Sequence, residues 1–290
     1  MFFQAVLLRK KLSRGDKTRW QVVSKVEPNP IKTTITWVGH ATVLVQVGGK
    51  NILTDPIFGA PSFLFPRISP PGISFENLPK IDFVLISHNH RDHTDKKSIL
   101  DLQKRDAPKF LVPEGDKAWF NKLGIDSVEE FIWWESSIHK VLQESLKFTF
   151  LPAKHWSQRA LFKRNMSLWG SWMISLKDQN IYFGGDSAYD QYFLQIAKEF
   201  PKIDVAMLSI APCEPSKWMK DSHMDPEDAI KAFGELNAKH LIPIHWGTFC
   251  FGTDCFDYPV LTLDKERESI ESGADKQLNI LRVGESLILK

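Results

Sequence analysis

From Thr33 onward the chain alternates short apolar runs with amphipathic stretches. "TTITWVGHATVLVQVGGKNILTDP" is dense in β-branched residues, and Gly48-Gly49 inside it reads as a hairpin turn between strands. Residues 57–79 are rich in Pro, Phe, Ser and Gly without a period, which predicts a long loop. "IDFVLIS" (81–87), "KFLVP", "VEEFIWW", "SLKFTFLPA", "SLWGSWMISL", "NIYFGG", "DVAMLSI" and "AKHLIPIHW" read as strands. "DKKSILDLQKR" (95–105), with Asp95 near its N-cap, "GDKAWFNKLG" ending at Gly124, "QYFLQIAKEF" and "DPEDAIKAFGEL" read as helices. Hairpins mixed with strand–helix units predict α/β layers, not an all-α or all-β protein.

Length and composition narrow this. A chain of 290 residues, 43% apolar, suits one large domain or two small ones. The net charge of +2 favours neither a nucleic-acid binder nor an acidic tail. It is unevenly placed: residues 1–32 hold eight Lys/Arg against Asp16 and Glu27, leaving 29 basic and 33 acidic residues elsewhere. We therefore expect a basic arm over 1–32 and a single domain over 33–290. The arm suits anionic lipid or nucleic acid, and equally a solvated terminus. Cys213, Cys250 and Cys255 make no disulfide framework and imply a reducing compartment. In "MFFQAVLLRKK" the apolar residues precede the basic ones, the reverse of a secretory signal. No run reaches the roughly 18 apolar residues of a membrane span. A cytoplasmic protein, with peripheral contact at the inner membrane surface as an option, is expected.

The chemistry sits at strand ends. "SHNHRDHTD" (87–95) follows the apolar run Phe83-Val84-Leu85-Ile86. His155 follows the strand ending near Leu151, Asp186 follows "IYFGG", and His245 closes "HLIPIH". Four strands thus deliver His or Asp at their carboxyl ends, where α/β folds gather ligand sites. Crowded imidazoles and carboxylates would resist packing unless paired or metallated. His88 and His90 can face one ion, Asp92 and His93 a second, and His155 and His245 add one ligand to each. Asp186 can bridge. Such a pair suits zinc, with iron or manganese as further options, and can hold a hydroxide as nucleophile. His139 and His240 read as ordinary structural histidines.

"SHNHRDH" has the H-x-H-x-D-H spacing of the metallo-β-lactamase fold superfamily, and His155, Asp186 and His245 follow in its order. "PAKHWSQR", "GGDSAYD", "HMDPEDA" and "PIHWGTF" resemble one branch, that of the N-acyl-phosphatidylethanolamine-hydrolysing phospholipase D and its bacterial relatives. The resemblance covers roughly residues 33–260. It implies a four-layer αββα sandwich of the metallo-β-lactamase type. It also implies one zinc on His88, His90 and His155, a second on Asp92, His93 and His245, and Asp186 between them. Phosphodiester hydrolysis of a phospholipid follows, and His223 is expected to contact the phosphate or move a proton. The animal enzyme has a longer N-terminal region than this chain.

Asp55 and His40 are candidates to orient ligands, with turn and packing roles as the alternative. Asp95 caps its helix and can also bond a ligand imidazole. Asp225-Pro226 reads as an N-cap with Pro at N1. Of ten tryptophans, Trp156, Trp246 and Trp218 are candidates for the pocket wall. Loop 57–75 is the expected lid or lipid-docking loop, the alternative being a loop packed on the domain. Rival functions are hydrolysis of a small lactone, ester or lactam, a nuclease, which the −4 body disfavours, and a metal-binding sensor or scaffold. The oligomer state is open.

Overall fold

The computed structural model describes residues 17–22, 26–28, 30–141, 143–254, 256–273 and 275–289. Strands β1 (Thr34–Gly39), β2 (Thr42–Val47), β3 (Lys50–Thr54), β4 (Phe83–Leu85), β5 (Lys109–Pro113) and β6 (Val128–Phe131) lie side by side in chain order. Strands β7 (Ser136–Val141), β8 (Glu144–Leu151), β9 (Ser171–Leu176), β10 (Gln179–Phe183), β11 (Ile203–Ser209), β12 (Ala238–Ile244) and β13 (Gln277–Leu278) form a second sheet, also in chain order. The last strand, β14 (Ser286–Ile288), returns to pair with β1. Each sheet is antiparallel at one side and parallel at the other, across β3–β6 in the first and β10–β13 in the second.

The strand alternation explains the layers. In the first sheet Ile35, Trp37, Val43, Val45, Ile52, Leu85 and Leu111 point inward and join Phe148, Phe150, Trp172 and Val205 of the second sheet in one core. Their neighbours Val38, Leu44, Leu53, Val84, Ile86 and Phe110 point outward and meet Ile99 and Leu102 of helix α1 (Lys96–Asp106) and Phe120 of α2 (Lys117–Asn121). Both faces are covered, so these strands read as continuous apolar runs. On the far face Ile196 of α3 (Tyr192–Glu199) packs with Ala229 and Phe233 of a longer helix, Pro226–Leu236. The order helix, sheet, sheet, helix is the expected αββα sandwich.

Several details differ from the sequence expectation. α2 is one turn and a half and is closed, as expected, at Gly124, which has φ 77° in the turn over 122–124. β6 stops at Phe131, because Trp134 takes a left-handed φ of 73° in the turn to β7. β7 was not expected, since its half-exposed, mixed pattern carries little apolar signal. Residues 57–74 do form a long irregular loop, followed by a short 3-10 turn at Phe75–Asn77.

Arg9, Lys10, Lys11, Arg14 and Lys25 of the basic arm lie outside the described residues. Within the same segment Trp20 is buried against Trp246, and Gln21 bridges to Val283. The domain core therefore reaches back at least to Trp20. Cys213 is a buried free thiol, Cys250 is half-buried, and Cys255 lies outside the described residues. Among the described residues no helix is long and apolar enough to cross a membrane.

Candidate metal centre

The turn after β4 carries Ser87 to His93, and the ends of three other strands converge on it. His88 Nε2 lies 2.8 Å from His90 Nδ1, which lies 3.3 Å from His155 Nε2 at the end of β8. His93 Nε2 lies 3.2 Å from His245 Nε2 at the end of β12 and 3.3 Å from Asp92 Oδ2. Asp186 Oδ2, beyond β10, sits between the two groups: 3.2 Å from both His93 Nε2 and His245 Nε2, and 3.9 Å from His155 Nε2. Gly185 makes this approach possible. It has φ 56°, and a β-carbon there would come within 2.6 Å of Ser87 Cβ.

The donor chemistry fits a pair of divalent ions. Three imidazole nitrogens facing one another cannot all be satisfied by one shared proton, whereas one cation satisfies all three. Asp186 Oδ1 is buried without a partner. The sets His88, His90, His155 and His40, Asp92, His93, His245 each bring their donor atoms within 4.8 Å of one another. Nitrogen and carboxylate donors suit zinc, iron and manganese alike, so the donors alone do not select among them.

One buried carboxylate is hydrogen-bonded into both groups. Asp55 follows β3 and is fully buried. Its Oδ2 meets His93 Nδ1 at 2.7 Å and accepts from Ser87 Oγ at 2.5 Å, while its Oδ1 accepts from Ser87 N at 2.7 Å. Ser87 Oγ in turn lies 2.9 Å from His88 Nδ1. With the Nδ1 protons donated down this relay, it is the Nε2 atoms of both His88 and His93 that face the centre. His155 Nδ1 donates likewise to the Ser222 carbonyl at 2.8 Å. His40 Nε2 reaches Asp92 Oδ2 at 2.9 Å. His40, Asp55 and His245 hold left-handed φ values of 56°, 33° and 68°, strain of about 1–3 kcal/mol each that local sequence does not advertise.

Burial pushes the His88 and His155 imidazoles well below their ordinary value, and His90 to about 4. Burial also acts against charge on His93 and His245. Asp186 and Asp92 overcome it there, raising His93 well above normal and His245 to about 9.

The matches to known proteins agree with this geometry. The model of the beta-lactamase superfamily domain matches residues 50–246. The chain belongs to the metallo-β-lactamase superfamily. It is 34% identical over 252 residues to N-acyl-phosphatidylethanolamine-hydrolyzing phospholipase D 1 of Caenorhabditis elegans, covering 83% of this chain and 70% of that protein. A mitochondrial protein of Saccharomyces cerevisiae with the same activity in its name is also 34% identical over 77% of this chain, which spans 49% of its length. In fold it is similar to Igni18, a metallo hydrolase of Ignicoccus hospitalis, at a TM-score of 0.68 and 20% identity over 89% of this chain and 99% of that one.

The superfamily centre opens into a cleft of about 600 Å³ whose walls include Phe65, Trp156, Arg159, Leu161, His223 and Phe251. Trp156 packs edge-on to His90 with ring centres 4.2 Å apart. Trp246 does not wall the cleft as expected: it is buried in the core between Trp20 and Trp37, with ring centres 5.1 and 4.8 Å away. His245 and Trp246 lie just beyond the end of β12, and the left-handed backbone at His245 turns the two side chains to different surroundings. Trp218 is exposed on the short helix Ser216–Met219 and is not among the cleft-lining residues. Asp95 accepts from Ser98 N and Oγ at the start of α1, and the imidazole bond expected of it is made by Asp55. Asp225 caps its helix by accepting from Asp228 N. His139 packs on Phe83 and His240 bonds Asn279, both apart from the centre.

Sequence reasoning did not single out Ser87, Asn89, Asp116 or Arg159. Asn89, between two ligands, donates to Asp116 Oδ1, which also accepts from Ser167 Oγ. Arg159 donates to the carbonyl of Thr94 and stacks its guanidinium on Trp119. Only the positions of Ser87 and Asn89 beside candidate ligands were a usable signal.

Proposed function

We propose that the protein is a dinuclear-metal phosphodiesterase that cleaves a lipid-like substrate of the N-acyl-phosphatidylethanolamine type, in the manner of a phospholipase D. The observation that carries the reading is Asp186 Oδ2 standing between two convergent donor groups, in a chain with 34% identity to enzymes named for that reaction. In this reading His88, His90 and His155 hold one ion, Asp92, His93 and His245 the other, and Asp186 both. Zinc is the favoured metal. A bound pair supplies Lewis acidity toward phosphoryl oxygens and a nucleophilic water at neutral pH.

The protein's own residues then orient the substrate. Burial lowers His223 to about 4, so its imidazole is neutral at pH 7. Its Nδ1 lies 3.7 Å from Asp186 Oδ2 and is buried without a hydrogen-bond partner. It is placed to bond a phosphate oxygen or carry a proton. Phe65, Leu161 and Phe251 offer an apolar wall for the chains beside the phosphodiester.

The test uses metal-loaded protein with mixed micelles containing N-acylated phosphatidylethanolamine, read by mass spectrometry. Phosphatidic acid and N-acylethanolamine are expected in equal amounts from the intact protein and not from His245→Ala. Absence of both products, with cleavage of a lactone or simple ester instead, would overturn the substrate assignment.

A further inference from the structure

Two loops frame the mouth of the cleft, contributing Pro61, Ser62 and Phe65 from one side and Gln158, Arg159 and Leu161 from the other. Their tips are exposed to an extent unusual for such residues: Phe63 is 89%, Leu161 76%, Phe162 93% and Met166 70% accessible. Neither segment, 57–69 or 156–169, contains an acidic residue, while Arg67, Arg159, Lys163 and Arg164 all lie within them.

The tips are carried by built bases. In the second loop Asn165 N donates to Ser157 O at 2.7 Å, Lys163 N donates to Ala160 O at 3.1 Å, and Gln158 pairs with Arg164. Arg164 stacks on Trp156 at 4.7 Å. In the first loop Arg67 donates to the carbonyls of Ile57 at 2.8 Å and Ser69 at 3.0 Å, and Ser69 Oγ donates to Gly247 O at 2.7 Å. The second loop is also tied to the ligand turn through Arg159 and Thr94.

We infer that these two loops form one docking surface for a phospholipid bilayer, with Phe63, Leu161 and Phe162 entering the acyl boundary and Lys163 and Arg164 meeting headgroup phosphates. Aromatic tips flanked by cations are the composition that partitions to that interface. A second copy is the poorer occupant, because a two-fold contact would set cationic loops against themselves. The inference deepens the phosphodiesterase reading: the surface surrounds the cleft, so a docked lipid would reach the centre without leaving the membrane.

The experiment is co-sedimentation of the full metal-loaded chain with phosphatidylcholine vesicles, alone or with roughly one-fifth phosphatidylglycerol. The comparison is the double variant Phe63→Ser/Phe162→Ser, whose exposed positions leave the fold intact. Turnover of a water-soluble chromogenic phosphodiester is measured in parallel. Wild type should bind both vesicles, the anionic one more tightly. The double variant should bind about tenfold more weakly or worse, with soluble turnover within about twofold of wild type. Equal vesicle binding by the double variant, or no binding by wild type, overturns the inference. So does self-association of wild type that the variant abolishes while vesicle binding is unchanged. Vesicle binding that follows the expectation, in a protein that cleaves no phosphodiester, supports the docking surface and removes the phosphodiesterase reading instead.

Discussion

The three-imidazole group and the carboxylate-rich group use the same histidine side chain to opposite electrostatic ends. Around His88, His90 and His155 burial dominates, and the imidazoles stay neutral. Around His93 and His245, burial is overcome by Asp186 and Asp92, and the imidazoles hold their protons more firmly. A cation binding at the first group would meet imidazoles that are already neutral. At the second it would have to displace protons, which would make that affinity more dependent on pH. Asp186, touching both, is where the two halves meet.

The strongest way to break this contrast is Asp186→Asn. It removes the negative charge shared by both groups and should lower turnover by about 10²–10³ or more. Metal analysis should show less than the full pair. Two bound ions and normal turnover in this variant would exclude Asp186 from the centre.

Asp55→Asn should weaken metal binding by about 10–100-fold, because it disturbs the proton positions on both His88 and His93. Ser87→Ala cuts only the arm of the relay that leads to His88, and its loss should be smaller. Chelator competition measures both, and an equal loss in the two variants would mean that His93 does not depend on Asp55.

Thermal denaturation of the metal-stripped protein should resolve the halves by pH. His40, His90 and His223 titrate at about 3, 4 and 4 when folded, below the ordinary 6.5. The unfolded chain binds protons first, so their contribution is complete above about pH 6.5 and is lost as pH falls toward their folded values. His245, raised to about 9, contributes most below 6.5 and loses it as pH rises through 9. The melting temperature should therefore peak near pH 6.5 and fall by about 5 °C or more on either side. Asp186→Asn should flatten the alkaline limb, since its carboxylate is the largest charge raising His245. A limb unchanged in that variant would locate the cause elsewhere.

Much of this was legible along the chain. The strand from 81, the Gly48-Gly49 turn, the cap at Asp225 and the identities of the clustered His and Asp residues follow from local patterning. A strand buried on both faces writes a continuous apolar run, and a site at its end writes an abrupt polar cluster. β7 escaped because a strand at a sheet edge with half-exposed side chains has no such contrast. Trp246 lies in the core, because adjacency in sequence to a candidate ligand says nothing about where the next side chain is sent beyond a strand end. The left-handed turn at His245 leaves Trp246 packed on Trp20 and Trp37 instead.

Residue types and their order along the chain determined that a site exists, which family builds it and which side chains are candidates. Tertiary structure alone decided that Asp55 and Ser87 couple the two groups, which nitrogen of each imidazole faces the centre, and that two acid-free loops frame one mouth. Those features depend on atoms dozens to more than a hundred positions apart brought within hydrogen-bonding distance. A local pattern records the burial of its own segment, but it carries no record of the partner that the fold sets opposite.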